Sequence, residues 1–167
     1  MLKKYVEIVA IEGEQFSFRP EVQIVLFGLL VCLTAWIISD VQLFGHKSMA
    51  IFDVWTISHV VTGAVLSYVA IAMRSINLQH PIMLLLVVSL SWEIVEHYIE
   101  AAELAALSNW FAGEEILLNR LVADQVAVVS GFYLIKKYPK ALLSCMAIGL
   151  GILILHIWLG SSMYFFN

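Results

Sequence analysis

Five apolar runs, separated by short polar segments, constrain this chain more than anything else in it. Val22 to Ser39, Asp53 to about Met73, Ile82 to about Ile99, Ile116 to Ile135 and Ala141 to about Gly160 are the runs. Each approaches the roughly 20 residues with which a helix crosses the hydrocarbon of a bilayer. Hydrophobic residues make up 62% of the chain and charged ones only 13%, about half the charged share of a soluble globular domain. The expected fold is therefore all-α, a polytopic membrane helical bundle with about five transmembrane helices. A five-span domain over 21–167 is expected to follow a cytoplasmic interfacial segment, 1–20. In that segment Leu2, Tyr5, Val6 and Val9 recur at helical spacing, the pattern of a short helix lying on a membrane surface. The first apolar run starts late and no small-residue cleavage site follows it, so no cleavable signal is expected.

The connecting segments fill in the outline. Asp40 to Phe52 reads as a loop and Arg74 to Pro81 as a turn. Ala101 to Glu115 reads as a short interfacial helix with Trp110 at headgroup level. Cys32 and Cys145 fall inside apolar runs and read as buried thiols. There is no nucleotide-binding glycine loop and no paired Cys-x-x-Cys motif, and no nucleic-acid partner is expected. Basic residues give an orientation. With the N-terminus cytoplasmic, Lys3, Lys4, Arg19, Arg74, Lys136, Lys137 and Lys140 lie inside and only Lys47 and Arg120 outside, the asymmetry of the positive-inside rule. The expected location is a bacterial inner membrane, with the C-terminus outside.

That topology gathers the polar residues of four spans into the outer half of the bilayer. On the third span Ser89, Glu93, Glu96, His97 and Glu100 share a helix face. Asp53, Thr56 and His59 belong to the outer half of the second span, Asn119, Arg120 and Asp124 to that of the fourth, and His156 to that of the fifth. His59 lies roughly 9 Å and Asp124 roughly 12 Å below the outer ends of their helices at 1.5 Å of rise per residue. Small residues, among them Gly63, Gly131 and Gly149, share stripes with these polar groups and let helices approach closely. Ionisable groups at such depth face one another or a wet cavity, and count as a functional site by default.

Plainer readings accompany each group. Arg120 and Asp124 are spaced to neutralise one another on a helix. Glu96, Glu100 and Glu103 can sit in headgroups or water, and His156 can be a hydrogen-bonded histidine near a helix end. The functional reading takes His59, His97 and His156 as ligands of a divalent metal such as zinc, with Glu93, Glu96 or Asp124 as catalytic acid or base. Glu93-x-x-Glu96-His97 is also similar to helices that carry carboxylate-bridged metal pairs. A second reading has Arg120, with Asn119 and Asp53, gripping a phosphate of a membrane lipid. A third has the polar faces packing against a partner membrane protein or a second copy.

Three stretches resemble the VanZ-like and YjdF-like small bacterial membrane proteins. Asp53 to Gly63 is similar to an Asp/His/Gly pattern opening an early helix in those families. Ser91 to Glu96 resembles the acidic segment closing the next helix, and Asn119 to Gly131 resembles a helix bearing Arg, then Asp, then Gly. The chain departs from the pattern in its long polar N-terminal segment and in lacking the Asn-x-x-Gly that follows the VanZ aspartate. The resemblance implies Asp53, His59, Glu93, Arg120 and Asp124 as a polar core in a cell-envelope protein, without supplying a reaction. The function expected is to bind, and to hydrolyse, a phosphate- or ester-containing envelope lipid with a divalent metal; the alternative is a non-catalytic accessory subunit of a membrane complex.

Overall fold

The computed structural model describes residues 20–46, 48–72, 81–100 and 115–159. The surface helix expected before Pro20 and the interfacial helix expected around Trp110 lie outside the described residues. Among the described residues five long helices carry the fold: α1 (Pro20–Ile38), α2 (Val54–Ala72), α3 (Pro81–Glu100), α4 (Asp124–Lys137) and α5 (Leu142–Leu159). A π-helical turn, Asn119–Ala123, leads directly into α4, and a 3-10 turn, Pro139–Ala141, leads into α5. Proline starts α1 and α3, where its missing N–H would have had no partner. Asp53 caps α2. The Thr56 N–H donates to Asp53 Oδ1 at 2.9 Å and the Asp53 N–H to Thr56 Oγ1 at 3.1 Å, a reciprocal capping arrangement.

Neighbouring pairs fix the helix directions. Glu21 meets Lys136 while Cys32 meets Ala123, so α1 and α4 are antiparallel. His59 meets Asp124 while Ala64 meets Ile135, so α2 and α4 run parallel. Val61 lies against Gly149 and Trp55 against His156, so α5 runs opposite to α2. The chain thus passes up and down through the bundle. At its centre is α4, in contact with α1, α2 and α3 and buried at every position from Asp124 to Val129.

By length and composition α1 (Pro20–Ile38), most of α3 (Pro81–Ile99) and α5 with its 3-10 turn (Pro139–Leu159) are apolar enough to cross a membrane. The apolar stretch of α2, Val54–Ala70, is shorter. The central helix differs for a physical reason: its first half is covered by its neighbours, so it carries Asp124 and Gln125 away from the apolar exterior. The outer surface of the bundle is apolar, with Phe27 69% and Trp158 80% exposed, while Glu93, Asn119, Arg120 and Asp124 are buried.

Between α1 and α2 the chain forms two short strands, β1 (Gln42–Phe44) and β2 (Ala50–Phe52), rather than a plain loop. They pair in parallel with Gln42 opposite Ala50 and Phe44 opposite Phe52. Ile51 on β2 joins Cys32 and Ala123 in a buried cluster, fastening this connection over the π-helical turn. Cys32 and Cys145 are buried free thiols, as the apolar runs imply.

The tightest packing lies just below the polar end of the bundle. A Cβ on Gly63 would overlap the carbonyl of Val128, and one on Gly131 the carbonyl of Val60, so α2 and α4 touch backbone to backbone. Below this crossing two apolar clusters fill the bundle, one around Ala64, Ile135, Leu142 and Cys145 and one around Leu85, Val128, Val129 and Phe132. At that far end Lys136 Nζ donates to Glu21 Oε1 at 2.8 Å. Replacing Gly63 or Gly131 by valine should destabilise the protein by about 3 kcal/mol or more, because rigid backbone cannot yield. Gly149→Ala should cost about 1 kcal/mol, since the atom it meets is a side-chain methyl of Val61 at 2.7 Å. Thermal unfolding of the purified variants in one detergent checks the order.

Candidate functional site

The polar end is assembled from three helices around one imidazole. His59 comes from α2, Glu93 from α3 and Asp124 from the first turn of α4. His59 Nδ1 lies 3.6 Å from Glu93 Oε1, and His59 Nε2 lies 3.6 Å from Asp124 Oδ2. All three residues are buried, and one ligand atom from each falls within 4.8 Å of the others. Among the described residues neither carboxylate oxygen of Asp124 has a hydrogen-bond partner. A buried carboxylate in that condition is costly unless a cation or proton meets it.

The π-helical turn sets this geometry. The Asp124 N–H bonds back five residues to the Asn119 carbonyl instead of four. One extra residue in the turn changes the register between the segments on its two sides; such turns occur often at functional sites. Arg120 therefore serves Glu93 and Glu115, while Asp124 turns to His59. Arg120 Nη1 donates to the Glu93 main-chain carbonyl at 2.8 Å and lies 3.9 Å from Glu93 Oε2, and Nη2 lies 3.4 Å from Glu115 Oε2. The mutual neutralisation of Arg120 and Asp124 suggested by their spacing is replaced by these longer-range pairs. Asp124 also lies within electrostatic reach of Asp53 and Glu96. Five carboxyl groups thus share the region with one guanidinium among the described residues.

Beside the cluster is a partly open cavity of about 450 Å³ between α2, α3 and α5. His59 belongs to both the cluster and the cavity wall. Glu96, His156 and Ser89 line the cavity, and Trp55, Leu66, Val88, Trp92 and Leu153 make much of its wall apolar. The ring of His156 stands edge-on to Trp55 at 4.8 Å between centroids.

Residues 22–160 match the model of a family described as a protein of unknown function, DUF2585. The chain belongs to the DUF2585 family. No curated protein and no solved structure matches it.

In this DUF2585 chain the three histidines expected as ligands part company. His59 sits in the cluster, His156 lies across the cavity, and His97 is exposed beside Tyr98. The reason is the narrow seam that α3 presents. Leu85, Ser89, Glu93, Glu96 and Ile99 are its buried positions, and at 100° per residue His97 falls roughly 100° from the middle of that stripe. Glu93 and Asp124, expected as acid or base, stand where the other two ligands were sought. Glu96 lines the cavity. Asn119 is fully buried, with neither amide atom hydrogen-bonded among the described residues. Arg120 is not among the residues lining the cavity, and Asp53 is engaged as a helix cap. Glu115 was missed as a site residue; its place five residues before Arg120 was the available signal.

One imidazole and two carboxylates are a suitable donor set for zinc, manganese or iron, and leave coordination positions open. Removing Arg120 would strand Glu93 and Glu115. Arg120→Met should cost about 3–5 kcal/mol of stability, with part recovered in the Arg120→Met/Glu93→Gln double variant, read by unfolding in detergent.

Proposed function

We propose that this DUF2585 protein is a five-span cell-envelope membrane protein that holds a divalent metal at His59, Glu93 and Asp124 and hydrolyses a lipid bound beside it. The observation that supports this most is the meeting of three buried residues of metal-binding type, from three helices, one of which, His59, also lines a largely apolar cavity. The apolar exterior and the alternating helix directions support the membrane setting; the basic residues favour the polar end facing outward. We also propose kinship with the VanZ-like and YjdF-like proteins, because the His59, Glu93, Arg120 and Asp124 implied by that resemblance form one buried cluster.

In this reading His59, Glu93 and Asp124 would hold the ion, and such an ion would supply the acidity that makes a water nucleophilic near neutral pH. Glu96, on the cavity wall, takes the water proton as the oxygen attacks the carbonyl or phosphoryl centre, and returns it to the departing alkoxide. Arg120 holds Glu93 in position from behind rather than gripping substrate. An accessory subunit of a membrane complex is the second reading, favoured by the exposed Trp92, Tyr98 and Trp158 on the outer faces.

Protein purified without chelator or polyhistidine tag should contain close to one equivalent of zinc, manganese or iron by plasma mass spectrometry. His59→Ala and Asp124→Ala should each lose at least about tenfold in metal affinity, whereas His97→Ala should retain it. A wild-type protein without metal after growth and dialysis in each of the three ions would sink the metal reading.

A further inference from the structure

The cavity also carries information about which lipid it takes. Resting on the reading of the cluster as a hydrolytic site, we propose that the substrate is a single-chain lipid with an uncharged carboxylic ester at its head, and that phosphate-bearing lipids are turned away.

Size and lining favour a single chain. About 450 Å³ lies toward the smaller end of the roughly 300–1,000 Å³ of small-molecule sites, and suits one hydrocarbon chain better than two. Leu66, Val88 and Leu153 supply apolar wall for that chain, with Trp92 beside them. Ser89 lines the same cavity, is 6% exposed, and its hydroxyl has no hydrogen-bond partner among the described residues. Its neighbour Ser91 bonds back to the Val87 carbonyl at 2.7 Å, the usual resort of a serine within an apolar helix. Ser89 does not. A buried hydroxyl left in that state, on a residue at a cavity wall, is suited to donate to an acceptor on a ligand once its side chain rotates toward the cavity, and an ester carbonyl is such an acceptor.

Charge decides between ester and phosphate. Asp53, Glu93, Glu96, Glu115 and Asp124 share the region with Arg120, and Arg120 is already committed to Glu93 and Glu115. A divalent ion would leave the surroundings still negative. A phosphate brings its own negative charge into a region where low dielectric magnifies repulsion. A neutral ester does not, and it acquires negative charge only as hydroxide adds to the carbonyl, at the atom beside the metal. Addition forms the new C–O bond; collapse breaks the ester C–O bond, leaving an alcohol that receives the proton from Glu96 and a carboxylic acid that gives its own proton to solvent on release.

Native mass spectrometry of the full-length protein with three lipids of one chain length tests this: monoolein, its glyceryl ether without the carbonyl, and oleoyl lysophosphatidic acid. Monoolein should bind at least about tenfold more tightly than lysophosphatidic acid, a difference of about 1.4 kcal/mol, and several-fold more tightly than the ether. Ser89→Ala should erase the ester-over-ether preference. Ser89→Phe should block all three lipids, with its unfolding temperature confirming a folded protein. Glu96→Gln should narrow the gap between ester and phosphate. Equal or tighter binding of lysophosphatidic acid, or equal binding of ester and ether, overturns the proposal. Metal content measured on the same samples separates the two readings. Metal-loaded protein that prefers phosphate defeats only the substrate assignment, and metal-free protein that prefers the ester defeats only the metal.

Discussion

Charge buried inside an apolar bundle must be met by other buried groups, and that requirement shapes this protein. Glu93 cannot face outward without entering an apolar surface, so it faces α4 and α2. Arg120 reaches it from one side and His59 from another. The guanidinium in turn needs Glu115, and the imidazole finds Asp124. Each member justifies its neighbour, so the cluster is a property of the set rather than of any one side chain. A network with every member partnered can specify a unique arrangement, while a half-satisfied one is worse than an apolar core. Asp124 is where this network remains short of a partner.

Two backbone features place the network. The π-helical turn shifts the register of the chain entering α4, allowing Arg120 and Asp124 to serve different partners. The glycine crossing of α2 and α4 brings the two backbones together one turn below His59. Neither works through polar chemistry, yet the spacing of the cluster depends on both. The strands β1 and β2 complete the frame by packing Ile51 over the turn.

Much of the fold was legible as pattern. The run Val22 to Ser39 corresponds to α1 (Pro20–Ile38), and Ala141 to Gly160 to α5 (Leu142–Leu159), within two residues at each end. Apolar length locates a helix because little else in such a sequence competes with it. Gly63 and Gly131 also stood out, since small residues on a polar stripe imply close approach. The site was legible in its residue types and less so in its rotations. His97 shares a broad face with Glu93 in a helical projection, but the seam α3 buries is narrower than that face, and only packing reveals its width. The π-helical turn was invisible because Asn119–Ala123 has no residue that demands it. Glu115 was overlooked for a related reason, since the segment before it read as interfacial.

The backbone contact at Gly63 and Gly131 has a consequence for traffic. Where two main chains touch, no file of water can pass between them, and below that point the described core is apolar but for Ser67 and the Glu21–Lys136 pair at its tip. Along this one seam the chain is sealed, so His59 and Asp124 above the contact are walled off from the apolar cluster around Ala64 and Ile135 beneath it.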